Sequence, residues 1–167
     1  MAAKNPKEVF VTLLSDARQN TERTIKTYQE FSQAAQNPDV EEALEARAFI
    51  AERDLETLDK VFEIIGEKPV KLSGRLQDVF LEDFKKELAE IQSPAAKQIF
   101  VLAKATHLVH FRLAEYAALI AAADITGHFG AGVLLESVLS DKLVFLERTR
   151  RLVHHIVEGK LAERLVA

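Results

Sequence analysis

The sequence contains no cysteine in its 167 residues. This absence excludes disulfide bonds, thiolate catalysis and iron–sulfur ligation, because each of these needs a cysteine sulfur. The sequence also has no apolar stretch near the roughly 18 residues that a membrane-spanning helix requires, so we expect no membrane partner. The first residues lack the apolar segment of a secretory signal. We therefore expect a cytoplasmic protein.

Glycine and proline are scarce as well, with six and four residues, and they interrupt long amphipathic stretches at only a few points. The formal net charge of −4 provides no general attraction to nucleic acid, so we expect no nucleic-acid partner. Hydrophobic residues make up 48% of the chain and charged residues 29%, as in ordinary globular proteins. The length fits a single domain over residues 1–167.

Apolar residues recur at intervals of three and four, which predicts four long helices. Their expected limits are residues 7–35, 38–65, 94–125 and, after Gly130 or Gly132, a fourth helix that ends at Gly159. Residues 70–92 form a long connection with an amphipathic helical piece over about 75–91. Two helix pairs with short internal links and one long connection are typical of a ferritin-like four-helix bundle. The predicted fold class is therefore all-α.

Several segments resemble the YciE/YciF family of bacterial ferritin-like proteins. The most specific are DKVFEIIGEKP at residues 59–69, HFRLAEY at residues 110–116, and the following LIAAA at residues 119–123. LLESVLSDK at residues 134–142 and the Asp16-Ala-Arg18 triplet are similar to the start of the family's fourth helix and to part of its first. The resemblance covers about residues 8–155 and implies a stress-associated four-helix bundle, usually a homodimer, with a carboxylate-rich metal centre.

The residues that the resemblance places at the metal ligands are mostly unsuitable for metal binding. The family's acidic, histidine and threonine positions fall on other residues here: Arg18, Arg47, Ala51, Val109 and Arg112. A guanidinium is a permanent cation and cannot act as a ligand. His110 and Tyr116 match the family pattern, and Asp141 stands where the fourth helix offers an acid. We therefore expect a degenerate metal site, with no bound cofactor.

Arg47 and Asp141 are predicted to form a charge pair in the core, where the metals of the family would lie. Arg47 lies on the apolar stripe of the second helix, so its guanidinium group needs an anion if it is buried. Asp141 lies among apolar residues of the fourth helix and could face Arg47, with His110 nearby. The alternative is that the Arg47 head extends to the surface.

A rebuilt metal site is the other possibility, with iron or manganese held by His107, His110, Glu115 and Asp141. Two histidines three residues apart share a helix face, but they rarely bind metal without further ligands. A hydrogen-bonded core role for His110 is the simpler interpretation. The alanines at positions 114, 117, 118, 121 and 122 indicate close helix packing, either within the chain, which is favoured slightly, or at a dimer contact.

Two functions therefore remain open. The first is a non-catalytic structural or interaction protein, assembled as a homodimer, that has lost its di-iron site and has no catalytic residues. The second is a metal-binding oxidoreductase or iron-handling protein with a rebuilt site. The missing paired ligands favour the first function, and the sequence identifies no further protein partner.

Overall fold

The computed structural model describes the backbone of residues 5–166, and within this range it describes all side chains except those of residues 157 and 159–166. The described chain forms five helices, which are α1 (Pro6–Ala34), α2 (Pro38–Ile65), α3 (Arg75–Glu90), α4 (Pro94–Ile125) and α5 (Phe129–Val166). The predicted all-α class is confirmed, and the expected limits of the first three long helices agree with α1, α2 and α4 to within about a residue.

The predicted end of the last helix at Gly159 is wrong, because α5 continues to Val166. A glycine within a helix costs only about 1 kcal/mol relative to alanine, and good helix formers such as Leu161, Ala162 and Glu163 follow it. The helix also begins earlier than expected, since Gly130 and Gly132 lie in its first turn. Across residues 5–166, none of the helices combines the length and the apolar character that a bilayer span needs.

Side-chain caps define three of the helix starts. The Asn5 side chain accepts a hydrogen bond from the Glu8 amide, and the Asn37 side chain accepts from the amides of Asp39 and Val40. Ser93 caps α4 in the same way. A proline follows each of these caps at the first helical position, where its missing N–H is not needed.

The four long helices close a ring around a shared interior. α1 packs against α2 and α4, and α5 packs against the same two helices. The shorter α3 lies against α1 and α4. Phe84 of α3 is buried with its ring centroid 4.5 Å from that of Phe31, so α3 covers an apolar surface of its own chain.

The apolar interior is divided into two clusters along the helix axes. The first cluster includes Phe10, Leu58, Leu119 and Leu135, and the second includes Tyr28, Leu44, Leu102 and Phe145. Each cluster receives residues from all four long helices. The helix turns between them carry buried polar and charged residues instead, and these form the candidate site.

Gly66 and Gly130 provide a matched test of the helix ends. Gly66 ends α2 with a positive φ of 67°, whereas Gly130 lies within α5, and an added Cβ would meet no other atom at either position. We expect Gly66→Ala to lower the free energy of unfolding by about 1–2 kcal/mol, because a left-handed backbone strains any residue with a Cβ. Gly130→Ala should leave stability unchanged or raise it by up to about 1 kcal/mol. Urea unfolding of both variants measures the difference, and equal effects would contradict this account of the α2 end.

Candidate functional site

Five charged residues lie between the two apolar clusters, and we call them the core charge cluster. They are Arg47 and Asp54 on α2, Arg112 and Glu115 on α4, and Lys142 on α5. Four of their side chains are at most 2% exposed, and Glu115 is 11% exposed. Charged residues are rarely buried to this degree unless they are paired.

The Asp54 carboxylate is the centre of the cluster. Its Oδ2 atom accepts a hydrogen bond of 2.9 Å from Arg47 Nη2 and one of 2.6 Å from Lys142 Nζ. Arg47 and Asp54 are seven residues apart, which places them two turns apart on the same face of α2. One carboxylate oxygen therefore joins α2 to α5 through two cations.

Aromatic rings lie close to both cations. The Arg47 guanidinium carbon lies 5.6 Å from the ring centroid of Tyr28 and 5.9 Å from that of Phe145. The Lys142 Nζ lies 4.3 Å from the ring centroid of Tyr116. Such cation–π contacts compensate part of the lost hydration, and they are stronger away from water.

Arg112 and Glu115 form a second ion pair that connects α4 to α1. Arg112 Nη1 contacts Glu115 Oε2, and Arg112 Nη2 donates to the Ala17 carbonyl at 2.8 Å and to Thr21 Oγ1. Asn20 Nδ2 donates to Glu115 Oε1 at 3.1 Å. The pair is thus satisfied mainly by polar groups of α1, whose sequence places Asn20 and Thr21 on the inner side.

Burial shifts the pKa of Lys142 and the pKa of Glu115 in opposite directions. Burial, together with the positive charges of Arg47 and Arg112, lowers the pKa of Lys142 to about 7, although the Asp54 carboxylate opposes the change. Burial also raises the pKa of Glu115, against the opposing effects of Arg112 and Asn20. With all five groups ionised, three cations face two carboxylates, which leaves one positive charge in excess.

The predicted pairing of Arg47 with Asp141 is wrong. Asp141 is half-buried, and the next residue, Lys142, occupies the inner position of α5 instead. Successive helix residues are rotated by about 100°, so a stripe through Val138, Lys142 and Phe145 excludes Asp141. The anion of Arg47 is Asp54 of its own helix. Arg47 itself is buried, so the alternative in which its head reaches the surface is also wrong.

The four residues of the possible rebuilt metal site do not come together. His107 and His110 are exposed on α4, whereas Glu115 lies inside and is bound to Arg112. His110 lines an external groove beside Leu146 and His154, so it is not a core histidine either. Among the side chains that the structure describes, no group of three or more His, Cys, Asp or Glu residues could hold a metal ion.

The chemistry of the buried donors does not fit a metal centre. A hard or borderline cation needs several ionised oxygen or imidazole ligands that converge on one point. The two carboxylates of the core charge cluster already neutralise cations of the chain itself. Arg47, Ala51, Val109 and Arg112 are all buried, and none of them can supply a ligand.

Sequence reasoning missed Asp54 and Lys142, although their spacing carries a signal. Asp54 is three residues after Ala51 and four before Leu58, on the stripe that includes Arg47. Lys142 continues the apolar stripe of α5 in the same way. Two opposite charges on inner stripes of neighbouring helices are the pattern that would have indicated the pair.

Asp54→Asn tests whether the Asp54 carboxylate holds the interior together. The variant leaves Arg47 and Lys142 without an anion, and removing one partner of a buried ion pair costs about 3–5 kcal/mol. Asp59→Asn is the matched control, because Asp59 is about half exposed and pairs with Arg18 at the surface. We expect the control to lose less than about 1 kcal/mol. Urea unfolding at pH 7 measures both changes, and similar losses would show that Asp54 has no special role.

Comparison with solved structures identifies similar folds. The E. coli stress protein YciF matches with a TM-score of 0.88 and 21% identity over 93% of this chain and 99% of that one. YcfI from Rhodopseudomonas palustris, described as a candidate structural protein, matches with a TM-score of 0.84 and 21% identity over 88% and 94%. A protein from Xanthomonas campestris pv. campestris matches with a TM-score of 0.71 and 16% identity over 94% and 99%.

Among curated proteins, no sequence matches the chain significantly. Residues 5–162 match the family described as "Domain of unknown function (DUF892)". This match includes every segment that carries the resemblance to the YciE/YciF proteins. The chain therefore belongs to the DUF892 family, and its resemblance to the YciE/YciF proteins is confirmed.

Proposed function

We propose that this protein is a ferritin-like four-helix bundle in which the core charge cluster replaces the metal centre. In this proposal it acts as a single-domain, non-catalytic structural or interaction protein, assembled as a homodimer in the cytoplasm. It forms no complex with nucleic acid or membrane, and it needs no cofactor. The ring of four long helices, in two antiparallel pairs joined through α3, supports the ferritin-like description.

The observation that carries the proposal is the neutralisation of both buried carboxylates by cations of the chain. Asp54 is bound by Arg47 and Lys142, and Glu115 is bound by Arg112. A divalent metal entering this layer would have to displace these cations and would be repelled by their charges. An interior of this kind favours a permanent structural role over metal-dependent oxidation.

The descriptions of the similar proteins are consistent with a structural role. YciF is described as a stress protein, and the Rhodopseudomonas protein is described as a candidate structural protein. Because both are only 21% identical to this chain, they contribute a hypothesis about its role and not an assignment. We propose a stress-associated structural role on this basis.

An apolar stripe on α4 supports assembly as a dimer. Five exposed residues follow one another at intervals of three and four, which are Phe111, Ala114, Ala118, Ala121 and Ile125. This spacing suits close contact with another helix, and small residues allow near approach. Four of the five alanines noted in the sequence, at positions 114, 117, 118 and 121, are exposed, so the interpretation that they pack within the chain is wrong for these four, whereas Ala122 packs against the first apolar cluster. A twofold axis would bring two copies of the stripe together.

Metal content distinguishes the structural role from a redox role. We expect untagged protein to contain far less than one equivalent of iron or manganese per chain by mass spectrometry. Anaerobic addition of ferrous iron, followed by air, should produce no oxidation signal beyond that of free iron. A ferritin with an intact di-iron centre, treated in the same way, is the positive control. Near-stoichiometric metal with an oxidation signal would overturn the proposal.

Phe111→Glu tests the proposed dimer surface. Its matched control is Phe49→Glu on α2, because the two side chains are 46% and 62% exposed and neither supports the core. A buried, unpaired carboxylate at a dimer contact is costly. We expect Phe111→Glu to shift a dimer to monomers in analytical ultracentrifugation, while Phe49→Glu remains dimeric. A monomeric wild type, or a dimer that tolerates Phe111→Glu, would contradict the assignment of this stripe.

A further inference from the structure

Lys142 shares its anionic partner with Arg47. Its Nζ atom and Arg47 Nη2 bind the same atom, Asp54 Oδ2, at 2.6 Å and 2.9 Å. One carboxylate cannot fully neutralise two cations. When Arg47 and Lys142 are both charged, one positive charge at this buried site is therefore not neutralised, which is electrostatically unfavourable.

Arginine keeps its proton under all ordinary conditions, whereas a lysine amine can release it. Any relief of the excess charge at Asp54 must therefore come from Lys142. A neutral amine retains N–H groups and can still donate a hydrogen bond to Asp54 Oδ2. The contact between α2 and α5 thus survives the loss of the proton, while the unbalanced charge disappears.

We propose that Lys142 is a proton switch in the bundle core. In its neutral form the core charge cluster has two cations and two carboxylates, and the helices are held most firmly. Protonation adds a third cation to the layer and weakens the packing of α5 on α2 and α4. A falling pH across the alkaline-to-neutral range therefore loosens the fold, and a rising pH tightens it.

The groups that face Lys142 are consistent with a fold that loosens when Lys142 is protonated. α2 presents Arg47 and Asp54, and α4 presents Arg112, Glu115 and Tyr116. Burial raises the pKa of Tyr116 to about 12, so this hydroxyl stays neutral where Lys142 changes its charge. On α1 the buried Tyr28 behaves likewise, with its pKa raised by burial to about 12. On α5 itself, Asp141 is only half-buried and Thr149 carries no charge.

The sign of the pH dependence follows from linkage. Burial lowers the pKa of Lys142 from 10.5 to about 7, so between these values the unfolded chain binds a proton that the folded chain does not. Stability must then rise with pH through this window. Glu115 has the opposite effect at acidic pH. Its pKa is raised in the folded state, so the folded state binds a proton more readily than the unfolded chain does as the solution becomes acidic.

The charge of Lys142 can be measured directly by NMR on the full-length protein with ¹³C-labelled lysine. We expect one lysine resonance to titrate near pH 7, and Lys142→Met should remove this resonance from the spectrum. A wild-type spectrum in which every lysine titrates above about pH 9.5 overturns the proposal, because that is the range of ordinary lysines. This outcome does not depend on whether the variant folds.

Urea unfolding between pH 6 and pH 10 then tests the effect on the fold. In wild type we expect the folding equilibrium constant to rise by up to about tenfold per pH unit above pH 7, the limit for one proton. Lys142→Met should lose this slope, whereas Lys85→Met should retain it, because Lys85 lies at the surface with its side chain 52% exposed. A slope that persists unchanged in Lys142→Met would place the switch in another residue and overturn the assignment.

Discussion

The Asp54 carboxylate is the constraint on which the interior of this protein depends. It lies in a layer that separates two apolar clusters, and it is the only anion within reach of both Arg47 and Lys142 among the ion pairs of the described residues. Buried ion pairs add little net stability, since desolvation offsets their attraction. An unpaired buried cation, however, is strongly unfavourable, so the geometry around Asp54 must be kept once the two cations are buried.

This constraint extends to the register of the four long helices. The apolar clusters on either side specify this register less sharply, because hydrophobic contacts are not directional. The charged layer specifies it closely, since Arg47 and Lys142 must reach one oxygen atom, and Arg112 must reach both Glu115 and the α1 carbonyl of Ala17. The polar layer is therefore better explained as a device that fixes one arrangement of the helices than as a source of stability.

The helices were predicted well from the sequence, and the pairing of the buried charges was predicted poorly. The helix starts could be predicted from capping residues such as Asn37 and Ser93, because the hydrogen bonds of a cap are local in the sequence and fix the residue at which a helix begins. Arg47 and Arg112 are both buried, although the sequence left open whether the Arg47 head reaches the surface. The partner of Arg47 was predicted wrongly, because a rotation of one residue on α5 exchanges Asp141 for Lys142 and reverses the sign of the inner charge. His110 was misplaced for the same reason, since a family pattern fixes residue types but not the angle at which a helix faces its neighbours.

A cation supplied by the chain differs physically from a bound metal in what controls it. A metal stabilises a folded protein according to its free concentration and its affinity, and the effect ends when the metal is removed. Arg47 and Arg112 are present in every molecule and keep their charge, so in the function that we propose the interior does not depend on metal supply. Lys142 is different, because its charge depends on protons. In the function and the switch that we propose, a core held by these three cations is controlled by pH and not by metal, and within the described residues only the shared oxygen of Asp54 couples that control to two helices.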